Sequence, residues 1–124
     1  MSNSFHEFVR ELFAGLGDVQ IKRMFGGAGA YADGLMFALL ADETIYIKTD
    51  DTLKGELTKE RSGPFVWTPS KGPRAGESVE MSYWRLPEAA LDDPELASAW
   101  AKKALAVAKA KATAKIKPKK KRKA

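Results

Sequence analysis

The run Ala30-Tyr31-Ala32-Asp33-Gly34-Leu35-Met36-Phe37-Ala38-Leu39-Leu40-Ala41-Asp42-Glu43-Thr44-Ile45-Tyr46-Ile47-Lys48 decides how the chain folds. Asp33-Gly34 is a strong hairpin signal, because both central residues of a type I′ turn need positive φ. The strand entering the turn contains Ala30 and Tyr31, and the strand leaving it runs from Leu35 to Leu40. So continuous an apolar run predicts a central strand covered on both faces. Asp42-Glu43 then turns the chain into Thr44 to Lys48, where Ile45 and Ile47 point one way and Tyr46 and Lys48 the other. Three adjacent antiparallel strands follow from this reading.

Upstream, Val19 to Met24 roughly alternates apolar and polar residues, as a half-buried strand does, and Gly26-Gly27-Ala28-Gly29 interrupts the pattern. Before it, Phe5, Phe8, Val9, Leu12, Phe13 and Leu16 recur at helical spacing. Ser4 with Glu7 offers a capping box for that helix, and Gly15 or Gly17 closes it. Downstream, Asp50 or Asp51 caps a short helix carrying Leu53 and Leu57. Phe65 to Thr68 resumes strand character, Pro69 to Gly76 reads as a surface loop, and Ser78 to Arg85 alternates again. That alternation puts Val79, Met81 and Tyr83 on one face and Glu80, Ser82 and Trp84 on the other. Leu86-Pro87 ends the strand and leads into a short turn or helix through Leu91. Asp93-Pro94-Glu95 starts a last helix, with an aspartate cap, proline at the first position and negative charge at the positive end of the macrodipole. Its predicted inward seam is Leu96, Trp100, Ala104 and Val107. The fold class is α+β: an antiparallel sheet with N-terminal and C-terminal helices packed on it, followed by a basic tail.

The chain has 124 residues, room for one domain and a tail. Beyond Ala108 the only large apolar side chain is Ile116, which places the domain at residues 1–108 and the Lys/Ala-rich tail at 109–124. The helix is expected to leave the body there and fray, with disorder from Pro118 onward. From Lys102 to the end there are eleven basic residues and no acid, whereas residues 1–101 carry ten basic and sixteen acidic residues, a net −6. The body is therefore acidic and the tail strongly basic, so phosphate affinity is expected in the tail. Absence of cysteine excludes disulfides, thiolate metal sites and cysteine nucleophiles. No apolar run approaches a membrane span and no secretory signal precedes the first helix, so a cytoplasmic protein without membrane contact is expected.

The inventory for catalysis is poor. His6, the only histidine, has no nucleophile beside it in sequence and reads as a surface or lightly packed side chain. The pairs Asp42/Glu43, Asp50/Asp51 and Asp92/Asp93 occupy turn and helix-start positions that favour aspartate for local hydrogen bonding. No metal-ligand spacing is visible, and neither metal nor cofactor is expected. Gly26-Gly27-Ala28-Gly29 matches no phosphate-binding fingerprint and reads first as a bulge or bend, with close approach to a ligand or partner chain as the functional alternative. Met81-Ser82-Tyr83-Trp84-Arg85 combines aromatic and basic groups as single-strand nucleic-acid platforms do, but the acidic body favours core packing on one face and a partner or edge surface on the other. In the tail, Lys111, Lys115, Lys117, Lys119, Lys120, Lys121, Arg122 and Lys123 are the nucleic-acid-binding candidates, the segment to Lys115 becoming helical when its charges are neutralised.

Arg23-Met24-Phe25-Gly26-Gly27, Gly29, Tyr31, Asp33-Gly34, Met36-Phe37-Ala38-Leu39, Asp42 and Tyr46, followed by Met81-Ser82-Tyr83-Trp84-Arg85-Leu86-Pro87, closely resemble the TfoX N-terminal domain family. The likeness extends from about Leu12 to Leu105. It implies a bacterial α+β domain of TfoX/Sxy proteins, regulators of competence for natural transformation that act with a cyclic-AMP-responsive activator at promoters. The family has no established catalytic residues or cofactor. Arg23 from the first motif and Tyr83, Trp84 and Arg85 from the second are the partner-binding candidates. Full-length relatives continue into a second helical domain, where this sequence continues into its lysine-rich tail. The expectation is a non-enzymatic regulatory module that binds a protein partner, such as transcription machinery, while the tail adds nonspecific DNA or RNA affinity. The alternatives are a small nucleic-acid-modifying enzyme, methyltransferase-like, and a homo-oligomeric scaffold such as a dimer paired through a sheet edge.

Overall fold

The computed structural model describes the backbone of residues 3–24, 27–67 and 79–122 together with Gly72 and Gly76, and the side chains of residues 4–24, 27–66 and 82–112. In chain order the elements are α1 (Asn3–Leu12), a 3₁₀ turn (Ala14–Leu16), β1 (Gln20–Met24), β2 (Gly27–Ala32), β3 (Leu35–Ala41), β4 (Thr44–Lys48), α2 (Asp51–Lys59), β5 (Pro64–Trp67), β6 (Val79–Arg85), a second 3₁₀ turn (Glu88–Ala90) and α3 (Pro94–Arg122). The strands form one six-stranded sheet in the order β1-β2-β3-β4-β6-β5. Every neighbouring pair is antiparallel. This is the α+β architecture that the sequence predicts.

Local chemistry fixes the joints. Asp33 and Gly34 take φ of 53° and 76°, the positive pair that a type I′ turn demands, and Asp42 and Glu43 repeat it at 49° and 55°. Asp50 Oδ1 accepts the Leu53 amide at 2.9 Å and starts α2, while Asp93 Oδ1 accepts the Leu96 amide at 3.2 Å and starts α3. The helix α1 begins at Asn3, so Ser4 lies inside the first turn rather than capping it, and the cap position falls outside the described residues. Helix boundaries read from sequence and from backbone hydrogen bonding differ by one or two residues. The alternating strand β1 ends at Met24, and of the glycine-rich segment Gly27, Ala28 and Gly29 open β2, where a Cβ on Gly27 would sit 2.5 Å from the Leu40 carbonyl oxygen. Only glycine permits that approach of β2 to β3. The predicted loop from Pro69 to Gly76 lies, apart from Gly72 and Gly76, outside the described residues.

One face of the sheet carries the core. Cross-strand pairing aligns Ile21, Ala30, Ala38, Ile47 and Trp84 in one row, and Ala28, Leu40 and Ile45 in the next. These residues pack in a single cluster with Val9, Leu12 and Phe13 of α1, Leu53 and Leu57 of α2, and Ala97, Trp100, Ala101, Ala104, Leu105 and Val107 of α3. The buried seam of α3 thus includes the expected Trp100, Ala104 and Val107, but Leu96 is only partly buried and small residues fill the rest. A register shift between Ala30 and Tyr31 leaves Phe37 as the extra residue of β3. It turns toward α1 and meets Phe13 edge-on, with ring centroids 5.3 Å apart. The expectation that β3 is covered on both faces is therefore corrected. Phe37, Ala38 and Leu40 are buried, whereas Met36, Leu39 and Ala41 are half-buried on the opposite side, because all three helices share the one core.

The helix α3 stays helical past Ala108, and Lys111 still reaches the body, its Nζ donating to the Thr49 carbonyl at 3.4 Å. The backbone of α3 runs on through Pro118 to Arg122, and the side chains of residues 113–124 lie outside the described set. Because Ala101 is fully buried, Ala101→Leu is expected to destabilise the protein by about 1–3 kcal/mol through overpacking. Ala106→Leu, at an exposed position of the same helix, is expected to stay within about 0.5 kcal/mol. Urea unfolding midpoints of the two variants check the contrast.

Candidate interaction surfaces

The second face of the sheet is built by the residues that alternate with the core. Pairing places Lys22, Gly29, Leu39, Tyr46 and Arg85 in one transverse row. Gln20, Tyr31 and Met36 begin the adjacent row, and Lys48 with Tyr83 ends it. Two lysines lie over tyrosine rings: Lys22 Nζ is 5.0 Å from the Tyr31 centroid and Lys48 Nζ 4.8 Å from that of Tyr83. Lys48 Nζ also donates to the Tyr83 phenol oxygen at 3.5 Å. Burial, and the phenol of Tyr31, push the Tyr83 hydroxyl above its ordinary pKa. Tyr46 and Phe65 meet at 5.0 Å. Gly29 forms the floor: a Cβ there would collide with the Met36 sulfur at 2.9 Å and the Met24 methyl at 3.0 Å.

A second surface is a cleft of about 360 Å³ between α1, the β3–β4 turn and the segment after β6. Phe5, Phe8, Ile45, Leu86 and Leu91 supply apolar walls, and Glu43, Glu88 and Arg85 supply charge. Phe8 and Leu91 are 40% and 38% exposed, two of the three large apolar side chains described as exposed. Both line the same opening.

The four partner-binding candidates do not converge. Tyr83 lies on the outward face, and Arg85 reaches from there to the Arg61 carbonyl at 3.2 Å while also lining the cleft. Trp84 faces the helices beside Ile47. Arg23, paired with the buried Ala28, points to the helix side at the sheet's edge and acts on His6. Of the tail candidates, Lys111 is described and contacts the body, whereas Lys115, Lys117, Lys119, Lys120, Lys121, Arg122 and Lys123 lie outside the described side chains. Two more lysines of α3 meet the acidic body, Lys103 with Glu56 at 2.5 Å and Lys109 with Asp33 at 3.3 Å. Sequence reasoning missed Lys22, Tyr31, Tyr46 and Phe65 as one surface, although the opposition of Tyr46 and Lys48 to Ile45 and Ile47 was its visible signal.

Among the described residues no group of three or more histidine, aspartate or glutamate side chains is placed to hold a metal ion. No helix among them is long and apolar enough to cross a membrane. The model of the TfoX N-terminal domain matches residues 11–108. The chain belongs to this family. The TfoX N-terminal domain is not a known enzyme family, and no curated protein matches the chain.

His6 of this TfoX N-terminal domain corrects the surface reading. It is only 6% exposed, on the inward side of α1 with Val9 and Phe13, and its Nε2 has no hydrogen-bond partner. Burial, then the charges of Arg23, Arg10 and the N-terminal amino group, hold its pKa below the ordinary value of 6.5. The unfolded chain therefore binds a proton that the native state resists. The stabilisation is complete above the unfolded pKa and is lost as pH falls below it toward the folded value. His6→Leu is expected to raise the melting temperature relative to wild type increasingly as pH drops from 7.5 to 5. Thermal denaturation across that range measures it, and a pH-independent difference contradicts the assignment.

Proposed function

We propose that this TfoX N-terminal domain is a non-enzymatic regulatory module of the cytoplasm that binds a protein partner through its folded part and contacts DNA or RNA nonspecifically through its basic tail. The separation of charge carries the reading: eleven basic residues and no acid from Lys102 onward, against a net −6 in the preceding body. The net charge of the body gives it no overall pull on a duplex, whereas a run such as Lys119-Lys120-Lys121-Arg122-Lys123 releases condensed counterions wherever it meets a nucleic-acid backbone. The cleft favours a protein ligand. Phe8 and Leu91 offer apolar contact, and Glu43 and Glu88 at its wall match a partner segment that presents an apolar side chain flanked by basic residues. Transcription machinery is the class of partner consistent with the family. Competence control is the process that the family's full-length members suggest.

Replacing Lys115, Lys117, Lys119, Lys120, Lys121, Arg122 and Lys123 together by glutamine in the full chain is expected to cut duplex DNA affinity at 50 mM salt by about 10³ or more and to flatten its salt dependence. Fluorescence anisotropy against salt concentration reads both effects, and unchanged binding refutes the role of the tail. Phe8→Ser with Leu91→Ser is expected to abolish capture of the protein partner in nuclease-treated pull-downs while leaving duplex affinity as in wild type. Stoichiometric binding of S-adenosylmethionine in calorimetry would instead establish the enzymatic alternative.

A further inference from the structure

We infer that the outward face of the sheet is a platform for single-stranded nucleic acid, with bases stacking on Tyr31, Tyr46 and Tyr83 and phosphates drawn to Lys22, Lys48 and Arg85. This goes beyond the role given to the tail and rests on different residues. The first ground is charge. Although the body is acidic, the described positions that alternate with the core on β1 to β4, and on β6 from Tyr83 to Arg85, include three cations and no carboxylate. Apart from Glu80 on β6, the acids of the described backbone sit at turns and bends, on helices and at their caps, and at physiological salt their repulsion is screened beyond roughly 8 Å.

The second ground is ring geometry. Tyr31 and Tyr83 stand on β2 and β6, three strand spacings or about 14 Å apart, with Tyr46 on the intervening β4. Sheets that bind RNA stack two or three bases on aromatic side chains arrayed across neighbouring strands. Each of these rings is half-buried, which holds it in place while leaving part of it accessible. The two lysine–tyrosine contacts already pair a cation with a π-face on this surface. A base stacked on the ring keeps the π contact while the ammonium moves to a neighbouring phosphate. The third ground is shape. Gly29 and the thioethers of Met24 and Met36 make an apolar floor between Lys22 and Tyr46, and single-strand sites join such surfaces to cationic tracks. Duplex DNA offers no exposed base faces to this arrangement, so the preference is for single strands.

The test uses the full chain carrying the seven glutamine substitutions in the tail, with a fluorescent oligothymidylate of about 12 nucleotides, within the roughly 4 to 16 that single-strand sites cover. Expected are binding at least about tenfold tighter than to a duplex of equal length and a loss of about tenfold with Tyr83→Ala but not with Tyr83→Phe. Lys22→Gln with Lys48→Gln is expected to lower the slope of log affinity against log salt by about 1.4, a second readout should Tyr83→Ala fail to fold. Equal affinity for single strand and duplex, or a salt slope unmoved by the lysine pair, overturns the proposal. Single-strand binding that survives the tail substitutions while duplex binding is lost supports the platform and the tail as separate activities. Loss of both forms together refutes the platform and leaves the tail reading standing. Occupation of the face by a second copy of the chain, seen as a dimer in light scattering that Tyr83→Ala dissolves, also overturns it.

Discussion

The alanines that α3 buries let it lie close over β3 and β4, and the rest of the structure is arranged around that approach. The helix buries Ala97, Ala101, Ala104 and Ala108, and the strands bury Ala28, Ala30, Ala32 and Ala38. Side chains this small let backbone layers approach closely, and interiors packed to crystal-like density leave no slack for a larger group. Bulk is then needed at the margins. Phe13, Phe37 and Trp100 supply it, and the β-bulge that releases Phe37 from strict alternation is what lets a large ring fill the space beneath α1. The same economy appears at Gly15, where a Cβ would lie 2.6 Å from the Ser98 hydroxyl, so the first 3₁₀ turn rests directly on α3. The buried seam of α3 therefore joins these alanines to the larger Trp100, Leu105 and Val107.

Features whose cause is local were legible in the sequence. The Asp33-Gly34 hairpin, the aspartate caps at Asp50 and Asp93 and the alternation of Thr44 to Lys48 all appear as read, because each depends on residues within one turn of the chain. Features that depend on which elements share a layer were not. The apolar run in β3 cannot say whether helices cover one face or two, since Met36 and Leu39 serve equally well against a helix or on a half-exposed aromatic surface. His6 looked exposed because a polar residue in a first helical turn usually is, whereas its register with Val9 and Phe13 directs it inward. The partner candidates came from contiguous motifs, but a strand sends consecutive residues to opposite faces, so Tyr83 and Trp84 were never going to form one surface.

Placing all three helices on one side of the sheet has an electrostatic consequence. The carboxylates that cap helices and make turns collect at the rims and on the helical layer, and those on the helical layer include the partner of Lys103. The outward face is left with lysine, arginine, tyrosine and methionine. The net charge of the body therefore misleads about its local field, just as the positive charge of the whole chain misleads about the body. Exposed ion pairs such as Lys109 with Asp33 contribute little to stability, roughly 0–1 kcal/mol. They do orient the start of the basic segment along the protein before it reaches its most densely charged run.

The sheet's edges bear on how the domain meets other molecules. An open edge strand is a template for pairing with another copy, and stable monomers blunt it with charge, proline or irregular register. On β1, Lys22 and Arg23 put two cations side by side in sequence, one on each face of the sheet, so a second β1 approaching antiparallel brings like charges together. On β5, Pro64 opens the strand and the register shift between Pro64 and Val66 breaks the ladder within four residues. Both edges thus disfavour growth of the sheet by self-association. Among the described residues, the cleft at Phe8 and Leu91 lies between α1 and the β3–β4 turn, and the outward face of the sheet lies opposite the helical layer. These differ in chemistry, one apolar with carboxylates at its wall and the other aromatic with cations, and Arg85 is the side chain that belongs to both.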